Sequence, residues 1–367
     1  MKILIMVHNL TGGGAERVAA LWATGFIERG YDVGIMLNCP SKTPITYQIP
    51  QTVKKYNMYN LLAAKIHHYF KIDCYRKRKL RNALIEFKPD VVIGVLGDNA
   101  QLTANVVRNW NKQPFIVQTE HNAYERPSYA PMPKILHYRK FVINKQFPCV
   151  TVLTQADKDY IGNQMDNIFV MPNPLTFTPV KSIPKKEKKI LAVGRLDAWY
   201  VKGFDLLIKT WGAIANQYPE WKLQIVGGGK SKSKEFLQSL ANEFQLGEQV
   251  EFISYQNNIL PIYQHSSIFV LSSRYEGFGM VLIEAMSQGC APIACDYKGR
   301  QREIITSEDE GIICPVDDVD SLSKAIKTMI EDDKYRENVR QKAIIRSQNY
   351  SLDKIMDRWD KIIKVTN

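Results

Sequence analysis

Short apolar runs alternate with stretches of helical spacing along this chain, in two series parted by a segment rich in proline and lysine, and no other feature restricts the fold as tightly. In the first series KILIMV (2–7) leads through a glycine loop into AERVAALWATGFIERG, and YDVGIML (31–37), KPDVVIGVL (88–96) and PFIVQTEH (114–121) follow. After MPNPLTFTPVKSIPKKEKK (171–189), which reads as a linker, come KILAVGRL (189–196), KLQIVGGG (222–229), VEFISY (250–255), IFVLSS (268–273) and APIACD (291–296). Strands alternating with helices form parallel sheets covered on both faces. The expectation is an α/β protein of two Rossmann-like domains facing each other across a cleft. The first spans 1–175 and the second 176–350, and the amphipathic tail 351–367 packs back on the first. Such sheets bind ligands at the carboxyl ends of their strands.

Charge divides along the same line. Residues 1–175 carry 22 Lys and Arg against 12 Asp and Glu, whereas residues 176–367 carry 27 against 25. A basic half joined to a near-neutral half points to an extended acidic partner, an anionic membrane surface or a nucleic acid. The stretch KIHHYFKIDCYRKRKLRNAL (65–84) interleaves Lys65, Lys71, Arg76, Lys77, Arg78, Lys79 and Arg81 with Ile66, Tyr69, Phe70, Ile72, Tyr75 and Leu80. Such a segment can seat apolar groups at a lipid boundary while its cations meet headgroups. A solvated basic helix is the alternative. MKILIMV is too short for a signal peptide, no run approaches the ~18 apolar residues of a membrane span, and the six cysteines lack zinc spacing. The chain is therefore expected in the cytoplasm, with Arg76, Lys77, Arg78 and Lys79 holding it peripherally on the inner face of the membrane.

RYEGFGMVLIEAMSQG (274–289) follows the apolar SSIFVLSS (266–273) and reads as strand, tight turn and helix, with Gly277 and Gly279 turning the chain and Gly289 ending the helix. Bare N–H groups at such a helix start favour an anion. Glu276 on the turn and Glu284 one turn inside the helix are themselves anions and suit hydroxyl groups instead, so the stretch fits a ligand with both phosphate and sugar. VGRLDAWYVKGFDLLI (193–208) places Arg195 and Lys202 on the loop after the second domain's first strand. There a planar fork and a point charge can converge on one diphosphate, unless both are solvated surface groups.

LTGGGAERVA (10–19) has Gly12 and Gly14 of a dinucleotide loop but Arg17 where the third glycine belongs. That leaves a plain strand-to-helix turn, or a loop whose bare N–H groups approach a phosphate held mainly by the other domain. His121, beside Glu120, sits at a strand tip facing the cleft and is either structural or part of the site. DKD (157–159) and DVD (318–320) imitate a metal-binding D-x-D, but the first lies in an ordinary helix start and the second reads as helix-capping acids, and no metal is expected.

Taken in order, Gly13-Gly14-Ala15-Glu16, the G-R…K-G segment and Glu276-x7-Glu284 resemble the retaining family-4 glycosyltransferases of the two-Rossmann (GT-B) fold that build bacterial surface glycans, and the resemblance runs nearly end to end. It implies transfer of a sugar from a UDP-hexose or UDP-N-acetylhexosamine to a lipid-linked glycan acceptor, with retained anomeric configuration. It implies no metal and no cofactor, the nucleotide sugar being a substrate. By position, Arg195 and Lys202 would bind the diphosphate together with Gly13 and Gly14, and Glu284 would accept the ribose hydroxyls. Glu276, the backbone of Gly277, Phe278, Gly279 and Met280, and the adjacent Val281 would hold the donor sugar. Glu16 and His121 would face the acceptor, and His121, Glu276, Arg195 and Lys202 would form the catalytic set. Ser254 and Tyr255 would lie at the nucleobase, where FISY (252–255) departs from the Phe-Leu-Gly of many relatives.

Two other classes fit parts of the pattern. A sugar-nucleotide epimerase shares the fold but needs acid and base residues that the sequence does not offer. A nucleic-acid-binding protein would use the basic half, yet it leaves the E-x7-E and G-R…K-G residues without a purpose.

Overall fold

The computed structural model describes residues 1–40, 42–59 and 73–364. The chain divides into two units, Met1–Pro174 with Leu352–Asn367, and Leu175–Ser351. The first holds β1 (Lys2–Val7), β2 (Asp32–Pro40), β3 (Lys54–Tyr59), β4 (Val91–Val95), β5 (Phe115–Thr119), β6 (Cys149–Val152) and β7 (Ile168–Val170). They pair in parallel in the order β3-β2-β1-β4-β5-β6-β7. The second holds β8 (Glu187–Val193), β9 (Lys222–Val226), β10 (Val250–Ile253), β11 (Ser266–Leu271), β12 (Ala291–Cys295) and β13 (Ile312–Cys314). These are also parallel, in the order β10-β9-β8-β11-β12-β13. Each sheet starts near its middle, grows to one edge and returns past its first strand. The reversals fall between β1 and β4 and between β8 and β11. Loops leaving the two strands of a reversal part in opposite directions, which opens a crevice for a ligand.

Every residue of β4 and of β11 is buried, which is why both read as unbroken apolar runs. Four strands are absent from the apolar runs; β6 is short, interior and fully buried, and the other three lie at sheet edges. β3 (KKYNMY) is half polar, and β7 and β13 are three residues long. An edge strand is freed from two-sided burial, so its sequence loses the signal. The linker also ends earlier than its composition suggests. Glu187 and Lys189 belong to β8, opposite Ser266 and Lys222 respectively.

The helix Leu352–Lys364 belongs to the first unit, packed on the helix Gly14–Glu28. Ile355, Met356, Trp359, Ile362 and Ile363 form its buried stripe. Trp359 stands edge-on to Trp22 with ring centroids 5.0 Å apart. Arg29 closes the far side, donating to Asp353, Asp357 and Asp360 at 2.5, 2.7 and 2.6 Å. Trp359→Ala should therefore cost about 3–5 kcal/mol, the usual range for emptying a buried aromatic position. A urea titration followed by circular dichroism measures it, and an unchanged midpoint would show that the tail adds nothing to the first unit.

Candidate functional site

The loops after β8 and β11 meet at the reversal of the second sheet. Gly203, at φ +63° between Trp199–Lys202 and the helix Phe204–Gly212, approaches the end of β11 so closely that a Cβ would fall 1.9 Å from the Ser272 carbonyl oxygen. Ser272 Oγ donates to the Lys202 carbonyl at 2.9 Å, and Arg274 N to the Val201 carbonyl at 2.8 Å. The Lys202 stem lies over Gly194, its Cγ 3.2 Å from where a Cβ would stand. On the other side a Cβ on Gly227 would meet the Gly194 carbonyl oxygen at 1.7 Å, while Leu196 N donates to the Gly228 carbonyl at 2.8 Å. Three loops thus converge, and glycine is the residue that lets their backbones touch.

Onto this frame the structure brings Lys202 and Glu276 together. Lys202 Nζ donates to Glu276 Oε2 at 2.7 Å, with side chains 22% and 16% exposed, and Ser273 Oγ reaches the same oxygen at 3.3 Å. Arg195, on the same loop as Lys202, is exposed. Glu284 is only 2% exposed, with Oε1 accepting from Thr176 Oγ1 at 2.7 Å and Oε2 from the Tyr263 hydroxyl at 3.0 Å. It lies beneath the turn, and a hydroxyl ligand must share it with those two residues. Gly279, at φ +97°, starts the helix Met280–Ser287 without a side-chain cap. Phe278 is buried with its ring edge-on to Tyr350, so of this residue only the backbone is left for a ligand. Gly277 is buried, and Met280 and Val281 are half-buried. Ser254 and Tyr255 are exposed just beyond β10, where Tyr255 Cβ stands 3.4 Å from where Gly228 would carry a Cβ.

Spacing along the chain does not announce Arg274, Asp205, Thr176 or Tyr263. Arg274 is 8% exposed and forks onto Asp205 at 2.6 and 2.9 Å, with Nε donating to Asp317 at 2.5 Å and Nη1 to the Tyr200 carbonyl at 2.7 Å. Its guanidinium also lies over the Tyr200 ring, 4.2 Å from the centroid. Burial opposes its charge, but the two carboxylates outweigh burial and raise its pKa further. The one hint in the sequence is an arginine placed directly after an apolar strand.

In the first unit the glycine loop follows β1. Glu16 folds back over Gly13, its Oε2 only 1.8 Å from where a Cβ would sit, and Gly14 opens the first helix. Arg17, standing where a dinucleotide loop needs glycine, lies over the Tyr47 ring at 5.2 Å. His121 sits just past β5, its Nε2 3.1 Å from Thr119 Oγ1 and its ring 5.6 Å from that of Trp22. Glu120 turns inward to a buried pair with Lys140 at 3.2 Å and accepts from Asn144 Nδ2 at 3.2 Å.

The basic stretch needs correction. Lys65, Ile66, Tyr69, Phe70, Lys71 and Ile72 lie outside the described residues. Arg76 is 5% exposed and forks onto Asp98 at 2.8 and 2.9 Å, so it is a structural cation and cannot meet a headgroup. Lys77, Arg78, Lys79 and Arg81 are exposed on the helix Asp73–Phe87. Both acidic pairs sit at helix starts, but only the second supplies the cap. Thr154 Oγ1 accepts from Asp157 N and donates to its carboxylate, and Asp318 accepts from Ser321 N. Among the described residues no helix is long and apolar enough to cross a membrane.

Comparison with known proteins agrees with this architecture. The profile of the family described as glycosyl transferases group 1 matches residues 176–346, and that of glycosyltransferase family 4 matches residues 12–176. A Haemophilus influenzae protein described as an uncharacterized glycosyltransferase is 28% identical over 366 residues, covering 99% of each chain. The Campylobacter jejuni N-acetylgalactosamine-N,N'-diacetylbacillosaminyl-diphospho-undecaprenol 4-alpha-N-acetylgalactosaminyltransferase is 25% identical over 392 residues, covering 96% of this chain and 97% of its own. A solved structure of a mutant of S. aureus TarM, in complex with fondaparinux, alpha-GlcNAc-glycerol and UDP, matches with a TM-score of 0.80 at 17% identity, over 99% of each chain.

Burial pushes the His121 imidazole down to about 4, against the pull of the Glu120 carboxylate. On acidification the unfolded chain, with its histidine near 6.5, therefore takes up a proton before the folded protein does. This contribution to stability is full above about pH 6.5 and is lost as pH falls toward about 4. In an NMR titration the His121 ring should stay in its neutral position down to about pH 5. A midpoint near 6.5 in the folded protein would contradict this desolvation of the ring.

Proposed function

Because the chain belongs to the family-4, group 1 glycosyltransferases, we propose that it moves a hexose or N-acetylhexosamine from a UDP-sugar to a lipid-linked glycan acceptor, with retention of configuration and without a metal. The observation that carries this reading is the meeting of Lys202 and Glu276, 2.7 Å apart, at the reversal of the second sheet. It sets a cation suited to a diphosphate beside an acceptor suited to sugar hydroxyls. The UDP bound in the TarM complex supports the choice of nucleotide. The diphospho-undecaprenol in the Campylobacter enzyme's name supports the acceptor.

In this reading Arg195 and Lys202 face the diphosphate, whose negative charge grows as its bond to the sugar breaks. Fixed cations there stabilise the transition state more than the ground state. Ser254 and Tyr255 border the nucleobase, Glu284 takes the ribose hydroxyls alongside Thr176 and Tyr263, and Glu276 with the backbone from Gly277 to Met280 takes the sugar. Gly13 and Gly14 approach the phosphate, while Glu16 and the neutral His121 address the acceptor. A leaving phosphate oxygen accepts the proton of the attacking hydroxyl on the same face, so no pair of carboxylates has to act as acid and base.

Arg195→Ala and Lys202→Ala should each cost roughly 2–4 kcal/mol of transition-state stabilisation, on the order of 30- to 1,000-fold in kcat/KM. Hydrolysis of UDP-sugars measures this, and rates within about twofold of wild type for both variants would sink the assignment. Chelator-treated protein should keep its rate in the same measurement, whereas a loss restored by Mn²⁺ would overturn metal independence.

The second part of the reading is reversible docking on an anionic membrane through Lys77, Arg78, Lys79 and Arg81. A cation near an acidic leaflet contributes about 1 kcal/mol, and the attraction falls off within a Debye length. Changing these four to Ser should abolish co-sedimentation with anionic vesicles at low salt while sparing donor hydrolysis. Undiminished co-sedimentation would show that the patch is not the anchor.

A further inference from the structure

We infer that Glu276 makes the site discriminate against free nucleoside diphosphate, by holding the Lys202 ammonium until an intact nucleotide sugar offers Glu276 new partners. The inference rests on the donor site proposed above and adds a second task for the same carboxylate. Lys202 cannot serve a diphosphate without disturbing Glu276, because Nζ and Oε2 are already 2.7 Å apart. The rest of the lysine is fixed. Its carbonyl accepts from Ser272 Oγ at 2.9 Å, its stem lies over Gly194, and the next residue, Gly203, is wedged against the Ser272 carbonyl. Only the ammonium can swing, and it must turn away from Glu276 or draw a phosphate up against it.

The two bound states then differ for Glu276. A nucleoside diphosphate without a sugar takes the cation and sets the charge of both phosphates, its unesterified end included, near a carboxylate that is only 16% exposed. Ser273 Oγ, at 3.3 Å, is then the one donor of the present pair that stays with Oε2. A partly buried carboxylate left short of donors, beside like charge, is unfavourable. An intact nucleotide sugar brings hydroxyl donors along with its phosphates, so Glu276 exchanges an ammonium for O–H groups. The same residue therefore favours the donor on entry and, once the sugar has left, weakens the hold on the released nucleotide. Dividing roles between the two residues without this pair would instead leave nucleotide affinity indifferent to Glu276.

Calorimetric titration with UDP, GDP and ADP tests this on wild type, Glu276→Gln, Lys202→Met and the double variant. Glu276→Gln should bind the preferred nucleoside diphosphate about two- to fivefold more tightly than wild type, the range expected on removing a partly exposed competing ion pair. Glu276→Ala should show the same gain, and the gain should vanish in the Lys202→Met background. Equal or weaker affinity in both Glu276 variants would overturn the inference while leaving the donor site in place. If wild type bound none of the three nucleotides, the donor-site reading would fall and the exchange with it.

Discussion

A buried guanidinium holds the loops of the second unit in register. Arg274 follows β11 directly, Asp205 lies just past Lys202 and Gly203, and Asp317 lies beyond β13. Taking an arginine out of water is costly on its own, and removing one partner of such a group is worse than never burying it. Here both carboxylates, the Tyr200 carbonyl and the Tyr200 ring meet its donors and its face. Lys202 precedes Asp205 by three residues, and Glu276 follows Arg274 by two. The short Lys202–Glu276 separation is therefore set by the fork as much as by the attraction between the two charges.

What the sequence made legible was whatever is decided within a few residues. The burial of β4 and β11 on both faces shows as unbroken apolar runs. Thr154 caps one helix at Asp157 N and Asp318 another at Ser321 N, so both pairs lie at helix starts, as their sequences read. The stripe of the last helix marks a face that must be covered, and it lies on the helix Gly14–Glu28. Pairings that depend on strand order left no trace of this kind. Arg76 reads as one cation among four, yet it is neutralised by Asp98, 22 residues on and past the end of β4. Glu284 reads as a group facing a ligand, yet Thr176 and Tyr263 already hold it, and nothing in the helical period predicts either partner.

The same distinction sorts the charge asymmetry. A count of Lys and Arg cannot separate Arg76, Arg29 and Lys140, each bound to carboxylates inside the first unit, from Lys77 and Arg78 on its surface. Only the exposed cations create an outward field, and only they are available to an acidic surface. The cations consumed inside the unit fasten the last helix and the segment after β5. The excess basic charge of the first half is thus partly structural material and partly surface.

The two units also treat their polar tips differently. Past β5, burial keeps the His121 ring neutral at physiological pH, with the charge of the neighbouring Glu120 answered by Lys140. Past β8, Arg195 stays exposed and Lys202 is paired with Glu276. In the reaction proposed above, cleaving a sugar from a diphosphate concentrates negative charge on the phosphate, which is where that proposal sets these cations.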